Sequence, residues 1–240
     1  MTKKKSDTAV EVLGGFRLAF YLFLSRAFSR EPDKAVLKNM EQILNTLMEV
    51  WKTLGLPSDP DIEAGRDFLK TFFLEFHKDP NNAVHGLARE YASLFLGTGS
   101  DTVSPCESAH RSTTGLLYQS ALFEVQKAYR EIDMAKSDVY QEPDDHIAVE
   151  LSYMARLCEM MQESAITVKE QALHSLMLQQ DFLDAHLLQW VPSFSRHLIA
   201  VARPGLYRAM AHLLKGYMEI DNSLVELMRR EITDESQAGS

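Results

Sequence analysis

Five consecutive residues concentrate acidic and imidazole chemistry in one short segment. They are Glu142, Pro143, Asp144, Asp145 and His146. An aspartate here could cap the helix predicted for the following residues, because a helix start favours a side-chain oxygen and negative charge. One cap leaves the other acidic groups unexplained, and together they would form a directional acceptor for guanidinium or ammonium groups. A helix start lowers the proton affinity of a histidine, whereas neighbouring carboxylates raise it, so the protonation of His146 stays open. The helix cap and the ligand site both remain possible interpretations of the segment.

A second candidate lies in the polar stretch 97–112, which contains Cys106, Glu107 and His110. Glu107 and His110 have the Glu-x-x-His spacing of di-iron helical bundles, so a helical metalloenzyme using these residues and nearby carboxylates is the alternative function. The spacing occurs once, in a predicted loop, and neither cysteine has a partner at ligand spacing. Cys106 also outlines a thiol nucleophile, but no catalytic signature flanks it. The residues therefore support metal binding and nucleophilic catalysis poorly, and we predict no metal and no cofactor. Scattered helical histidines are predicted to be core or surface residues: His174, His186, His197 and His212.

Tyr91, Leu94 and Phe95 form an apolar stripe at helical spacing directly before that polar stretch. Such a stripe more often belongs to a core than to a pocket. Its position beside a long connection keeps a pocket-lining role open, because long ordered loops are often functional.

Helices must position all of these groups, because apolar residues recur at steps of three and four almost throughout the chain. Glycine and proline are sparse, at 11 and 8 of 240 residues. The pattern predicts an all-α fold, a single compact bundle of about eight to ten helices of roughly 12 to 22 residues. Pro192 predicts a corner between two helices within 182–201, with the proline in the first turn of the second.

The whole chain, 1–240, is predicted to form one domain with frayed tails at 1–7 and 234–240. Two connections are long and polar, 97–112 and 133–143, and the second is a candidate hinge between helical halves. If these connections do not converge on one site, a structural adaptor without a pocket becomes the better interpretation.

The net charge of −9 argues against nucleic acid or an anionic membrane as the partner, since such surfaces need concentrated lysine and arginine. Basic residues cluster only at Lys3, Lys4 and Lys5. The apolar run 18–25 is too short and too closely flanked by arginines for a signal peptide or a membrane span. With two cysteines in the chain, a disulfide framework is not expected, and the protein is predicted to be cytoplasmic.

The order of these motifs resembles the TorD/DmsD/NarJ family of redox-enzyme maturation chaperones. The residues that carry the resemblance are Tyr91-x-x-Leu94-Phe95, Pro105-x-Glu107-Ser108, Glu142-Pro143-x-Asp145-His146-Ile147 with Glu150-Leu151 and Met154, and Phe182-Leu183-x-x-His186-Leu187-x-x-Trp190-x-Pro192-x-Phe194. The stretch 17–28 is similar too, so the resemblance covers nearly the whole chain. Cys106 stands where the family loop commonly has a tyrosine, which removes an aromatic hydroxyl from the expected site.

The resemblance implies a helical, non-enzymatic cytosolic chaperone. Family members bind the twin-arginine signal peptide, and often the body, of the catalytic subunit of a molybdopterin-dependent reductase or dehydrogenase. They keep that apo subunit competent for cofactor insertion and prevent premature export by the Tat pathway. A monomer and a homodimer are both compatible with the sequence. The residues expected to bind the signal peptide are Tyr91, Leu94, Phe95, Pro105, Glu107, Ser108, Glu142, Pro143, Asp145 and His146.

Overall fold

The computed structural model describes residues 3–98, 101–112, 120–136, 140–165 and 169–238. These residues form α-helices and their connections, and none of them belongs to a β-strand, which confirms the predicted all-α fold. The helices are α1 (Lys3–Ser29), α2 (Lys34–Thr53), α3 (Pro60–Lys78), α4 (Pro80–Phe95), α5 (Glu107–Arg111), α6 (Ser120–Glu131), α7 (Ile147–Ala165), α8 (Lys169–Phe182), α9 (Leu188–Val201) and α10 (Leu206–Ala238), with a π-helical turn (Leu183–Leu187) between α8 and α9.

Aspartate caps set the starts of α2, α3 and α4. Asp33 accepts a hydrogen bond from the Val36 amide at 2.8 Å, and Asp59 accepts from the Ile62 amide at 3.0 Å. Asp79 ends α3 and caps α4. These side chains satisfy amides that have no partner within the helix. After α4, Gly97 adopts φ +71°, a left-handed conformation that ends the helix and begins the long connection.

One continuous hydrophobic core runs through the described helices, from Val10 to Ile232. Helix α1 packs along α7, and α10 packs along α3 and α9. Gly65 permits the close approach of α3 to α10, because a Cβ there would lie 2.7 Å from the Leu213 side chain. The predicted single domain agrees with this continuous core but stays a prediction.

A buried ion pair joins the first and last helices inside this core. The Arg17 guanidinium donates to both Asp221 carboxylate oxygens, at 2.6 and 2.8 Å, and both side chains are fully buried. The Tyr21 and Tyr217 hydroxyls also donate to this carboxylate. Complete pairing of this kind is what allows a charge to lie in an apolar interior.

The predicted corner at Pro192 is wrong, because residues 169–201 form a continuous helical run. The Leu188 amide bonds to the Leu183 carbonyl, the wider spacing of a π turn. Proline lacks an amide and its ring needs room at the carbonyl four residues earlier. That carbonyl belongs to Leu188, where the π turn passes into α9, so the proline is accommodated inside a helix.

The tails are helical from Lys3 onward and up to Ala238, and their predicted fraying stays a prediction. Their lysine, glutamate, glutamine and alanine residues are good helix formers, so α1 and α10 continue through them. In the candidate hinge 133–143, Asp133 has φ +53°, but 137–139 lies outside the described residues. The hinge stays a prediction. No described helix is both long enough and apolar enough to span a bilayer.

Candidate functional site

The two long connections meet in a short antiparallel backbone pairing between Cys106 and His146. The Glu107 amide donates to the Asp145 carbonyl at 2.9 Å, and the Ile147 amide donates to the Pro105 carbonyl at 2.8 Å. Helices α5 and α7 therefore begin side by side. The convergence expected of a site is present, although the segments are 40 residues apart in the sequence.

Asp145 is a helix cap, but the helix it caps is α5. Its side chain is buried, and its Oδ2 accepts a hydrogen bond from the Ser108 amide at 2.9 Å. Cys106, which precedes α5, makes no side-chain cap of its own. The carboxylate thus satisfies an amide at the start of a helix from a distant part of the chain.

His146 caps α7 as a neutral imidazole. Its Nδ1 accepts a hydrogen bond from the Ala148 amide at 3.1 Å and lies 3.2 Å from the Tyr140 hydroxyl. Burial, with a smaller effect of nearby Lys136, lowers the pKa of His146 to about 3. This answers the protonation question left open by the sequence, because burial disfavours the charged imidazolium.

Glu107 is a buried, ionised carboxylate that contacts an arginine and a histidine. Its Oε2 lies 2.9 Å from His186 Nδ1, and its Oε1 accepts from Arg111 Nη1 at 2.6 Å. Burial alone would raise the pKa of Glu107, but the bonds to His186 and Arg111 lower it. Arg111 also donates to the Ala185 carbonyl at 3.1 Å, so α5 is tied to the π turn.

Glu150 is a second buried carboxyl group, and its surroundings favour the protonated form. Burial and the neighbouring Glu107 charge raise its pKa well above the usual range. Trp190 Nε1 donates to Glu150 Oε2 at 3.0 Å, while Oε1 has no partner in the part of the chain that the structure describes. Ser108 Oγ and Asp145 Oδ1 are likewise buried without a described partner.

The apolar stripe before the long connection is mainly core. Tyr91 and Leu94 are buried, whereas Phe95 is half-buried. The Tyr91 and Phe95 rings lie 5.1 Å apart, and the Tyr207 ring contacts both. Burial, together with the charges of Glu142 and Glu31, raises the pKa of Tyr91 to about 12.

Four of the ten expected binding residues reach the surface in part: Phe95, Pro105, Glu142 and Pro143. The other six are buried, so a ligand cannot contact Asp145 or His146 in this conformation. Among the described residues, the Glu142 carboxylate has no hydrogen bond or ion pair, and Asp144 is bound to Lys136 at 3.0 Å. Glu142 and Asp144 are therefore the partly accessible acidic groups of this segment, and Asp144 is already paired with Lys136.

A cavity of about 220 Å³ lies beside this region, between α1, α7 and the segment before Tyr140. Its walls combine apolar groups of Met134 and Val149 with the hydroxyls of Ser25 and Ser152. The volume is sufficient for one large apolar side chain.

The geometry does not assemble the metal site or the thiol nucleophile considered from the sequence. His110 lies with Glu107 on α5, a helix within the predicted loop, but its Nε2 lies 2.7 Å from the Ser104 carbonyl and its ring stacks on Trp190. No three metal-ligating side chains come together among the described residues. Cys106 is buried, and burial raises the pKa of its thiol, which disfavours the reactive thiolate.

Three partners in this cluster were not predicted as site residues: Glu150, His186 and Trp190. Each occurs within the motifs that carry the family resemblance, and that was the available signal. Composition and spacing alone do not distinguish His186 from the other scattered histidines. Its partner Glu107 lies 79 residues away in the sequence, so no local pattern indicates their contact.

The fold is a helical bundle in which buried polar groups join the two long connections. Above them lies a partly exposed surface with acidic and aromatic residues. These are features of a binding protein. The model of the nitrate reductase delta subunit family matches residues 57–196, more than half of the chain. The chain therefore belongs to this family, the TorD/DmsD/NarJ family of redox-enzyme maturation chaperones, and it is not an enzyme. The metalloenzyme alternative is wrong.

Relatives in this family are named chaperone protein TorD. The Photobacterium profundum protein is 29% identical over 171 residues, which cover 70% of this chain and 76% of that protein. The Vibrio parahaemolyticus protein is 24% identical over 208 residues, covering 86% and 93%. The Shewanella pealeana protein is 25% identical over 217 residues, covering 88% and 90%. No solved structure matches the chain.

Proposed function

We propose that this protein is a cytoplasmic chaperone that binds the twin-arginine signal peptide, and the body, of an apo molybdopterin-dependent oxidoreductase. Binding keeps the client competent for cofactor insertion and delays its export by the Tat pathway. Family membership and relatives named as TorD chaperones support this role. The client is the catalytic subunit of a reductase or dehydrogenase, and the chaperone acts as a monomer or homodimer.

The observation that carries the proposal is the half-buried Glu142 carboxylate, which has no partner among the described residues and borders an aromatic surface. A guanidinium group bound there would gain a charge-assisted, directional contact. Phe95 and the cavity beside Tyr140 would receive the apolar part of the same peptide. Pro105 lies in the first long connection and Pro143 in the second, and both are partly exposed.

The buried residues of the expected site act on the peptide by holding that surface in place. Asp145 and His146 cap the two adjacent helices, and Glu107 fixes α5 against the π turn. Ser108 supplies the amide that Asp145 caps. The Tyr91 ring packs against Phe95, and Leu94 is buried in the core on the same helix. These are positioning residues.

The expected free-energy contributions of the peptide contacts are suitable for reversible binding. Charge-assisted hydrogen bonds contribute about 1.5 to 3 kcal/mol each, and apolar burial adds about 25 cal/mol per Å². Peptide ordering offsets part of this gain, which leaves affinities of about micromolar or tighter. A complex of that strength can dissociate without ATP.

Calorimetric titration with a leader peptide and its Lys-Lys variant tests arginine recognition. We expect the Arg-Arg leader to bind about tenfold or more tightly, since lysine lacks the planar fork of donors. Equal binding of both peptides would remove arginine recognition from the proposal. Binding of neither peptide would leave only binding of the client body.

Asp145→Ala tests the positioning role. We expect weaker leader binding than the loss of stability explains, because α5 and the Pro105 connection lose their cap. Affinity is compared with that of Asp33→Ala, which removes the cap of α2 instead. An unchanged dissociation constant in a folded Asp145→Ala protein would contradict this role.

A further inference from the structure

A groove lies between the consecutive helices α2 and α3, and none of its lining residues belongs to the two long connections. Helix α2 packs mainly on α1, and α3 packs mainly on α10, so the space between α2 and α3 is left as a cavity of about 480 Å³. The α2 residues that line it run from Glu41 to Lys52, which corresponds to about 16 Å of helix. A partner helix of about three turns has the same length.

The floor of the groove is apolar. Leu44 and Met48 of α2 and Phe73 of α3 are at most 8% exposed, so they belong to the core and show only an edge to the groove. Leu74 beside them is 58% exposed. A single exposed leucine is ordinary, but one in the wall of a groove with an apolar floor provides contact area for apolar side chains of a partner.

The acidic residues of the α2 wall are already paired. Glu41 Oε2 lies 2.9 Å from His77 Nε2, a contact that crosses the groove near one end. Lys52 donates to Glu49 Oε1 at 2.8 Å within α2. A partner that enters the groove therefore meets little free negative charge on this wall.

The α3 wall carries free cations. Arg66 and Lys70 are four residues apart, so their side chains extend from the same face of α3. Among the described residues neither makes a hydrogen bond or an ion pair, and of the acidic residues that line the groove Asp67 is likewise unpaired. Arg66 and Lys70 thus form a cationic edge on a molecule with a net charge of −9. This edge attracts carboxylates and repels the arginines of a leader.

We propose that the groove between α2 residues 41–52 and α3 residues 66–77 binds an acidic amphipathic helix from the body of the client. That helix packs large apolar side chains on Leu74 and the apolar floor, and it directs carboxylates four residues apart at Arg66 and Lys70. The inference rests on the proposed function, because it gives the client body a contact surface of its own. The cationic edge and the Glu142 carboxylate have opposite charges, so each favours a different segment of the client.

Fluorescence anisotropy with two labelled model peptides tests the chemistry of the groove. Both are helical peptides of about 14 residues with leucines on one face. Along the edge of that face, at two positions four residues apart, one peptide has glutamates and the other has lysines. We expect the wild-type protein to bind the glutamate peptide about five- to tenfold more tightly, the scale of two partly exposed charge pairs.

Arg66→Gln with Lys70→Gln is expected to remove that preference, whereas Lys34→Gln with Lys38→Gln is expected to keep it. The control pair has the same spacing and the same change of charge, and both residues are exposed on α2 outside the groove. Equal binding of the two peptides by the wild-type protein overturns the inference and leaves leader binding standing. A preference that survives Arg66→Gln with Lys70→Gln also overturns it. Thermal unfolding verifies that every variant is folded.

Photo-crosslinking in the native host tests the occupant. A photo-reactive residue replaces Leu74, or Lys34 in the control, and mass spectrometry identifies the crosslinked peptide. We expect the Leu74 position alone to capture a helical segment from the mature part of a molybdopterin-dependent catalytic subunit. Capture of the leader, of a second copy of this chain, of an unrelated protein or of nothing overturns the inference. Failure of the leader to bind the wild-type protein in calorimetry contradicts the leader-binding part of the proposed function instead.

Discussion

At the scale of single residues, the acidic and imidazole segment caps two helices from the inside of the protein. Asp145 and His146 have the chemistry of a ligand site, yet both are about 1% exposed and bind backbone amides. The cost of leaving helix-start amides unpaired in the interior decides these roles. Glu142, three residues before Asp145, keeps the partly exposed carboxylate.

His146 predicts a dependence of stability on pH. Its folded pKa of about 3 lies below the ordinary value near 6.5, so the unfolded chain binds the proton more readily. Stability from this residue is complete above about pH 6.5 and is lost as pH falls toward 3, by at most about 1.4 kcal/mol per pH unit. Urea unfolding at several pH values between about 7 and 4.5 measures the loss.

His146→Asn is the matched variant, because asparagine Oδ1 can accept the Ala148 amide bond but does not titrate in this range. We expect the variant to lose less stability than wild type between pH 7 and 4.5. Identical losses in the two proteins would show that another group is responsible.

At the scale of elements, contacts far apart in the sequence hold the site's helices together. Arg17 on α1 pairs with Asp221 on α10, and Glu107 on α5 pairs with His186 in the π turn. The π turn also presents the Ala185 carbonyl to Arg111. The irregular turn between α8 and α9 is therefore part of the support for α5.

The Arg17–Asp221 pair predicts a large loss of stability on breaking one side. Asp221→Leu leaves a fully buried guanidinium without its counter-ion and is expected to cost about 3 to 5 kcal/mol. The double variant Arg17→Met with Asp221→Leu removes both charges and is expected to lose less than Asp221→Leu alone. Urea unfolding measures both values. Additive losses would contradict coupling between the two side chains.

At the scale of the whole molecule, the net charge of −9 favours a cationic partner. The basic leader proposed here is such a partner, and its attraction includes a long-range part that salt screens. The contact proposed at Glu142 adds a short-range part that depends on guanidinium geometry. The two parts respond differently to ionic strength.

Leader affinity is therefore expected to fall several-fold, roughly 3- to 10-fold, between about 0.05 M and about 0.5 M KCl. The Lys-Lys leader should bind more weakly but show a similar dependence on salt, since its charge is the same. Calorimetry at several KCl concentrations provides both measurements. Salt-independent binding of the Arg-Arg leader would mean that apolar contacts carry the affinity.

The all-α fold and the helix starts were predictable, because they depend on local information. Three- and four-residue apolar steps and the aspartate–proline pairs at Asp59 and Asp79 indicate helices and their beginnings directly. The continuous helical run through Pro192 was not predictable, since the π turn that accommodates this proline depends on how α8 and α9 pack. The family motifs also indicated which residues belong together.

By itself, the sequence determined the class of fold, the acidic balance and the residue types of the site. Tertiary structure alone decided which carboxylates are accessible: Asp145 and Glu107 are buried and paired, whereas Glu142 stays free. The physical reason is that burial and pairing depend on contacts between residues distant in the chain, and no local spacing encodes them.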